Sequence, residues 1–257
     1  MLKTMNNKIQ RKFSESAKSY DRFSNLQREI ADGLLIKIVQ EQAPLVLLDV
    51  GCGTGYLTGK LKDHFSQSKI IGLDFAQGML AEASLKHNGI SWVLANGNNL
   101  PFADGSINIL TSNLAYQWVK DLPQAFSEVQ RVLASNGVLA CTLFGYNTCQ
   151  ELFQSLDEAK KGAFQFMRLP NEVQVNDALV SSGFKNTQID CEQIKIEFKD
   201  MHELITWLKS IGANNLSQEG YLGKDALARA EAIYRKDYAS YNGVIATFEV
   251  IRVYGKK

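Results

Sequence analysis

The chain has 257 residues, of which 45% are hydrophobic and 21% charged, ordinary values for a globular protein with one sizeable core. Its formal net charge of +1 at pH 7 argues against a nucleic-acid substrate, because binding one needs a broad basic face. No run approaches the roughly 18 apolar residues of a membrane span, and no apolar signal-peptide segment follows the basic N-terminus. We therefore expect a cytoplasmic protein without a membrane partner. A monomer is expected too, although no sequence feature bears on the oligomeric state.

The cysteines and histidines argue against a metal site. The four cysteines include no CxxC pair, and the three histidines lie far apart in different predicted elements. Structural disulfides are also unexpected in a cytoplasmic protein. The residues concerned are Cys52, Cys141, Cys149, Cys191, His64, His87 and His202. The sequence therefore predicts neither a metal nor a disulfide.

Two helices are predicted before the first strand. In Ile9–Tyr20 the apolar residues recur at spacings of three and four, a narrow stripe suited to a flap, and a second helix follows between Leu26 and Val39. Residues 1–30 contain seven basic against three acidic side chains. This excess suits either a solvated helix face or a docking face for an acidic partner. Residues 1–44 are expected to cap a cofactor site.

The stretch 45–56, LVLLDVGCGTGY, organises the rest of the chain. Its apolar run predicts strand β1, buried on both faces of a parallel sheet and closed by Asp49. Gly51, Gly53 and Gly55 then allow a sharp turn and the close approach of a ligand to the backbone. A helix follows, and its N-terminus suits an anionic or polar cofactor. Alone, this pattern also fits a tight βα turn without a ligand.

A second strand, Lys69–Leu73, ends in Asp74, about 20 residues past the loop, where an acid accepts both hydroxyls of a ribose. The GxGxG spacing and Tyr56 disfavour a dinucleotide, and with it an NAD-dependent oxidoreductase. The runs DVGCGTG and GLD resemble class I S-adenosylmethionine-dependent methyltransferases. That resemblance implies a Rossmann-like α/β fold with a seven-stranded, mostly parallel sheet, helices on both faces and a helical insertion after β5.

The next elements continue the alternation of helix and strand. Ala76–His87 predicts a helix in which Met79 either packs in the core or lies near the cofactor. Ile90–Ala95 predicts strand β3, followed by Asn96 and Gly97. In the resembled family an acid at position 96 accepts from the adenine amine, and the next N–H meets the ring. Asparagine keeps one such acceptor, so binding is expected to survive.

Strand β4 is predicted at Ile107–Ser112, where Asn108 replaces an aspartate usual in the resembled family, for no evident physical reason. The segment Asn113–Trp118 follows at the carboxyl edge of the sheet, where open α/β folds bind ligands. Beyond it come an amphipathic helix, an Asn-Gly C-cap and a fifth strand. Their expected bounds are Leu122–Leu133, Asn136-Gly137 and Val138–Phe144.

From Gly145 onward helices dominate, as expected for a substrate lid. Asp200 and Glu203 predict a capping box for one of these helices. The expected elements are helices at Thr148–Lys161, Glu172–Ser182, Leu204–Ile211 and Lys224–Tyr241 and strands at Ile189–Phe198 and Val244–Tyr254. We expect one domain, with a cap at 1–44, a cofactor core at 45–144, a lid with strand β6 at 145–243 and a last strand at 244–257.

Several segments outside the cofactor motifs carry a narrower resemblance. FSESAKSYDRFSNLQ, SNLAYQW, FGYNTCQEL, LKSIGANN and YNGVIATFEV together resemble the malonyl-acyl-carrier-protein O-methyltransferases of biotin synthesis. LKSIGANN discriminates best, because generic methyltransferases lack it. The resemblance implies that S-adenosylmethionine methylates the free carboxylate of a malonyl thioester on acyl carrier protein, a reaction that needs no general base.

Three catalytic side chains are expected to donate hydrogen bonds to the carboxylate that accepts the methyl group. They are the hydroxyl of Tyr20, the indole N–H of Trp118 and the guanidinium of Arg168. Gln27 is expected to donate to the methionine carboxylate of the cofactor. The complete set expected to bind the cofactor is Tyr20, Gln27, Asp49, Gly51, Cys52, Gly53, Gly55, Asp74, Phe75, Met79, Asn96, Gly97, Asn113 and Leu114.

Two alternatives stay open at this stage. The acceptor could be another small carboxylic acid or a quinone precursor, and dependence on the carrier protein would separate these cases. The chain could also be a non-catalytic S-adenosylmethionine-binding protein, as Asn96 and Asn108 suggest where acids are usual. Cofactor binding without turnover would then be observed.

Overall fold

The computed structural model describes residues 2–161, 168–213 and 223–257, with side chains from residue 9 onward. The chain divides into two compact units. The first contains Met1–Leu143, Glu172–Cys191 and Ile251–Lys257, and the second contains Phe144–Asn171 and Glu192–Val250. None of the described helices is long and apolar enough to cross a lipid bilayer.

The described strands form one seven-stranded sheet. They are β1 Val46–Val50, β2 Lys69–Asp74, β3 Ser91–Leu94, β4 Ile107–Asn113, β5 Leu133–Phe144, β6 Lys185–Phe198 and β7 Val244–Lys256. Their order is β3-β2-β1-β4-β5-β7-β6. The pairs from β3 through β5 are parallel, so the expected central position of β1 and the parallel core are confirmed.

The helices alternate with these strands in the first half of the chain. They are α1 Leu2–Tyr20, α2 Asn25–Ile38, α3 Tyr56–His64, α4 Gln77–Lys86, α5 Leu122–Val132, α6 Gln150–Ala159, α7 Glu172–Ser181, α8 Met201–Ser210 and α9 Lys224–Asp237. Half of the predicted capping box of α8 is present, because the N-cap Asp200 accepts from the Glu203 N–H at 2.8 Å. The Glu203 side chain accepts from the N–H of Lys199, one residue before the N-cap, instead of from that of Asp200.

The core of the first unit lies on both faces of its strands. Successive strand residues point to opposite faces. Leu48 and Leu110 therefore join one buried cluster with α5, whereas Leu47 and Ile109 join another with α2 and α3. This double burial is why β1 is an unbroken apolar run in the sequence.

The position of helix α7 differs from the predicted lid. Its apolar residues Val175, Ala178 and Leu179 have helical spacing and are buried in the cluster that also contains Phe126 of α5. The segment 172–191 therefore packs with the first unit, although the sequence predicted it within a lid at 145–243. The assignment of the whole chain to one domain stays a prediction.

Two asparagines also have roles that the sequence did not predict. Asn136 and Gly137 do not cap α5, because the chain turns directly from α5 into β5 at Leu133 and Asn136 lies inside that strand with φ +62°. Asn108 has a structural explanation, since its Oδ1 accepts from the Val46 N–H at 2.9 Å and so ties β4 to the start of β1.

Candidate active site

Two adjoining cavities lie at the carboxyl edge of the first unit's strands. They share the lining residues Tyr20, Gly51, Gly53 and Asn113. The other predicted site residues that line the larger, first cavity are Asp74, Phe75, Met79, Asn96, Gly97, Leu114 and Trp118. Those that line the second cavity are Gln27, Asp49 and Cys52.

The glycine loop forms part of both cavities. Gly51, Gly53 and Gly55 all have positive φ, at +71°, +55° and +86°, which glycine adopts without strain. A Cβ on Gly51 would lie 2.2 Å from the Cβ of Ala115, whereas a Cβ on Gly53 would meet no heavy atom within 4 Å. The loop thus packs on the β4 side at its first glycine and faces open space at its second.

Gly55 serves packing instead of lining a cavity. It is the N-cap of α3, and a Cβ there would approach His87 at 2.9 Å and Trp92 at 3.0 Å. It lines neither cavity. Its assignment as a cofactor ligand therefore stays a prediction, and the contacts explain why glycine is needed at this position.

Asp74 joins the end of β2 to the glycine loop. Its Oδ2 accepts from the Gly53 N–H at 2.9 Å and its Oδ1 accepts from the Ala76 N–H at 2.8 Å. Burial raises the pKa of this carboxyl to about 6, although the backbone hydrogen bonds oppose the rise. Each oxygen keeps a lone pair for a ligand hydroxyl.

Asp49 is a second buried carboxyl, at the wall of the second cavity. It accepts from the hydroxyls of Thr58 at 2.6 Å and Thr111 at 3.0 Å. Burial raises its pKa to about 7, the two hydroxyls lower it, and the charge of Asp74 raises it. A cationic ligand would favour the ionised form of both acids.

Because the pKa values of Asp49 and Asp74 are raised, we expect the ligand-free protein to lose stability as the pH rises. Both pKa values lie above the ordinary value of 3.8, so the folded state binds more protons than the unfolded state. Their contribution is present below about pH 4 and is lost as the pH rises towards about 7. Urea unfolding between pH 5 and pH 8 should show a falling unfolding free energy, by up to about 1.4 kcal/mol per pH unit for each acid.

Asp49→Asn is the matched variant for this measurement. An amide has no charge to desolvate and can still accept from Thr58 or Thr111. We expect its unfolding free energy to fall less steeply with pH than that of the unchanged protein. Parallel curves would contradict the assignment of the slope to Asp49.

Helix α1 forms one wall of the first cavity, as the sequence predicted for a flap. Near its middle, the Gln10 side chain donates to the Phe75 carbonyl at 2.5 Å and Ser14 accepts from the Gly78 N–H at 3.3 Å. A Cβ on Gly78 would lie 2.4 Å from the carbonyl oxygen of Ser14. Helix α1 therefore packs directly on α4, and only glycine permits this approach.

Tyr20 lies at the end of α1, where the two cavities meet. It packs beside Phe75 and Met79, and burial together with the charges of Asp74 and Asp21 raises its pKa well above the usual value. The phenol therefore stays a neutral donor. Phe13 and Trp118 make an edge-to-face contact at 5.6 Å in the same cavity. Tyr20 and Trp118 thus lie in one aromatic wall.

The second cavity contains two buried polar atoms without a partner among the described residues, Gln27 Oε1 and Arg28 Nε. A carbonyl acceptor beside a guanidinium fits an α-amino acid, whose ammonium donates and whose carboxylate accepts. The unpaired atom of Gln27 is an acceptor, so it suits the ammonium rather than the carboxylate that the sequence predicted. Arg28 was missed, because its only signal was its place next to Gln27.

The turn after β3 offers a different asparagine from the one predicted. Asn96 is exposed, and its Oδ1 already accepts from the Asn98 N–H at 3.0 Å. Asn98 lines the first cavity and its Oδ1 is buried without a partner among the described residues. Asn98 therefore has the free acceptor that the sequence assigned to Asn96, although no motif pointed to it.

The end of β4 is held in an unusual conformation. Leu114 has φ +53°, and its N–H donates to the Thr142 carbonyl at 3.0 Å. The Asn113 side chain accepts from the Thr142 hydroxyl at 2.8 Å and donates to the backbone carbonyl of Gln27 at 3.0 Å. A leucine at positive φ is uncommon, and such strain concentrates at functional sites.

Arg168 is not among the residues that line these cavities, and its predicted role stays a prediction. It is exposed and belongs to the second unit. Among the described residues that line the first cavity, the single basic side chain is Lys120, which is exposed two positions after Trp118. The sequence did not identify Lys120, because a lysine on a polar loop carries no motif.

Comparisons with known proteins identify the family. A model described as a methyltransferase domain matches residues 48–141. A malonyl-[acyl-carrier protein] O-methyltransferase of Xylella fastidiosa (strain M23) is 34% identical over 251 residues, which cover 95% of this chain and 85% of the relative. The chain belongs to this O-methyltransferase family. The enzyme of the same name from Methylovorus sp. (strain MP688) is also 34% identical, over 95% of this chain and 86% of its own.

Solved structures confirm the fold of the methyltransferase. The YcgJ protein of Bacillus subtilis superimposes with a TM-score of 0.62 at 19% identity, over 88% of this chain and 97% of its own. Phosphoethanolamine N-methyltransferase 2 of Haemonchus contortus, solved with S-adenosyl-L-methionine, gives 0.59 at 17%, over 95% and 57%. These structures confirm the predicted Rossmann-like fold, and the family model and the curated relatives confirm the enzyme class and the S-adenosylmethionine cofactor. The roles of individual residues stay predictions.

Proposed function

We propose that this methyltransferase transfers a methyl group from S-adenosylmethionine to the free carboxylate of malonyl-acyl carrier protein, and so begins the synthesis of the pimeloyl part of biotin. The observation that carries the proposal is 34% identity over 95% of the chain to enzymes named for this substrate. The two cavities that meet at Tyr20 support it, because they give a donor and an acceptor one common boundary.

The residues present fit the cofactor along both cavities. Asp74 would accept from the ribose hydroxyls, and Asn98 and Gly97 would face the adenine. Gln27 Oε1 and Arg28 Nε would hold the amino-acid end, since both atoms are buried without partners among the described residues. When bound, the cofactor supplies an electrophilic methyl group on a positively charged sulfur.

The chain's own contribution is alignment and exclusion of water. A carboxylate with an ordinary pKa near 4 is already ionised at neutral pH, so no general base is needed. Alignment alone can supply about 7–11 kcal/mol of the barrier. The neutral hydroxyl of Tyr20 could donate to one carboxylate oxygen and leave the other free to attack, while Phe13 and Trp118 keep water from the reacting atoms.

We propose Lys120, in place of Arg168, as the cation that attracts the acceptor carboxylate. Lys120→Met should raise the KM for malonyl-acyl carrier protein about two- to fivefold, because one exposed attraction to an anion is worth about 0.5–1 kcal/mol. Lys120→Arg should retain the KM, and Lys69→Met, which removes an exposed lysine outside both cavities, should change nothing. An unchanged KM in Lys120→Met would rule out this role.

Intact-mass spectrometry tests the function itself. The protein is incubated with S-adenosylmethionine and, separately, with malonyl-acyl carrier protein, malonyl-coenzyme A and free malonate. We expect one added methyl group on the carrier-bound malonyl alone. Methylation of free malonate or of the coenzyme A thioester at an equal rate would favour a small-molecule acceptor. Cofactor binding without methylation of any acceptor would favour the non-catalytic alternative.

The remaining predictions about partners come from the sequence. The basic excess in residues 1–30 would offer a docking face to an acidic carrier protein and would act mainly on the association rate. A monomer and a cytoplasmic location stay predictions.

A further inference from the structure

Asp21 is the residue that follows helix α1, and its carboxylate contacts three other elements. It accepts from the Thr54 hydroxyl at 2.6 Å and from the Lys86 ammonium at 2.8 Å. The guanidinium of Arg28 lies 3.3 Å from the same carboxylate. Thr54 belongs to the glycine loop, Lys86 ends α4 and Arg28 lies in α2.

We propose that Asp21 is a positioning residue that locks the end of α1 onto the glycine loop and so holds Tyr20 where the two cavities meet. The inference rests on the proposed function, because it concerns the geometry of Tyr20 towards donor and acceptor. Tyr20 and Asp21 are joined by one peptide bond, and Thr54 is buried in the loop that lines the second cavity. A shift of Asp21 therefore moves Tyr20 relative to the cofactor loop.

The three contacts are arranged as a fixed anchor. They come from three different elements, so together they restrict movement of the carboxylate in more than one direction. Burial raises the pKa of Asp21, but the hydrogen bonds from Lys86 and Thr54 outweigh this effect, so the net pKa is lowered. The carboxylate is therefore ionised at neutral pH. The Gln10 and Ser14 contacts hold the middle of α1. At its Tyr20 end, the polar contacts of Asp21 add to the apolar packing of Tyr20 beside Phe75 and Met79.

The expected effect of Asp21 on global stability is small, whereas its expected effect on the rate is large. The side chains of Asp21, Arg28 and Lys86 are each about one third exposed, and ion pairs of that kind contribute little to global stability. In contrast, a misplacement of about 1 Å at a reacting centre can cost ~100-fold in rate. Loss of the anchor should therefore reduce turnover while the protein stays folded.

A double-mutant cycle with Tyr20 tests this inference. Asp21→Asn and Lys86→Gln should each lower kcat on malonyl-acyl carrier protein about tenfold, and Lys86→Arg should restore it. In a Tyr20→Phe background, Asp21→Asn should lower kcat less than twofold further, because its effect passes through the lost hydroxyl. Glu15→Gln, which breaks the exposed Arg11–Glu15 pair on the same helix, should leave kcat unchanged. Equal losses in both backgrounds would overturn the proposal.

A spectroscopic measurement without substrate keeps the inference independent of the proposed reaction. The protein is labelled with 3-fluorotyrosine, and the Tyr20→Phe spectrum assigns the Tyr20 resonance. We expect Asp21→Asn and Lys86→Gln to shift or broaden that resonance and Glu15→Gln to leave it in place. A Tyr20 resonance that is identical in all variants would overturn the positioning role. If the resonance moves but unchanged protein methylates no acceptor, the proposed function fails and the anchor stands.

Discussion

Gly51→Ala should mainly destabilise the fold, whereas Gly53→Ala should destabilise the fold less and strongly weaken cofactor binding. Both positions have positive φ, which costs alanine about 1–2 kcal/mol. At Gly51 the new methyl group would also lie 2.2 Å from the Cβ of Ala115, and such overpacking costs about 1–3 kcal/mol more. At Gly53 the methyl group meets no protein atom within 4 Å and projects into the space proposed for the cofactor.

Urea unfolding and calorimetric titration with S-adenosylhomocysteine distinguish the two variants. Gly51→Ala should lose about 2–5 kcal/mol of unfolding free energy, and adding Ala115→Gly should recover the part due to the clash. Gly53→Ala should lose no more than about 2 kcal/mol, and its affinity for S-adenosylhomocysteine should fall at least ~100-fold. Wild-type affinity in Gly53→Ala would remove the glycine loop from the cofactor site.

Asp74→Ala should weaken binding of S-adenosylhomocysteine by about 1.5–3 kcal/mol, or roughly 10- to 150-fold. Hydrogen bonds to a charged group are worth about this much, and Asp74 is the acid proposed to face the ribose. The variant also leaves the N–H groups of Gly53 and Ala76 without the acceptor that now supports the loop. Calorimetry at pH 8, above the raised pKa of about 6, measures the ionised form.

Two further variants serve as a same-size comparison and as a control for Asp74→Ala. Asp74→Asn keeps the size of the side chain, but its amide nitrogen cannot accept from an N–H, so its affinity should also fall at least tenfold. Asp63→Ala removes an exposed acid on α3 outside both cavities and should change the affinity less than twofold. Unchanged affinity in Asp74→Ala would show that the ribose does not bind here.

Part of the candidate site could be predicted because it is local in sequence. The glycine loop follows β1 directly and Asp74 is the last residue of β2. The carboxyl ends of these neighbouring parallel strands meet at one edge of the sheet. The apolar runs of β1 and β2 thus fixed both their burial and the place where the polar residues emerge. The flap was predictable for a similar reason, since the stripe of α1 needed a surface to cover.

Other site residues are brought together by packing between distant segments. Lys120, Arg28 and Asn98 carry no motif, and their roles depend on which atoms stay buried or exposed after packing. Arg168 fitted the chemistry of a carboxylate site but lies in the other unit. Chemical suitability alone could not distinguish it from Lys120.

The sequence by itself determined the order of the elements, the parallel sheet, the glycine loop and the acid that ends β2, because these depend on short-range periodicity and spacing. The family came from the resemblance of several longer segments. Only the tertiary structure decided that α7 packs with the core, that Asn108 ties β4 to β1, and that Asp21 meets Thr54 and Lys86. The physical reason is that a contact between residues far apart in the chain depends on the packing of whole helices and strands, and no local pattern encodes that packing.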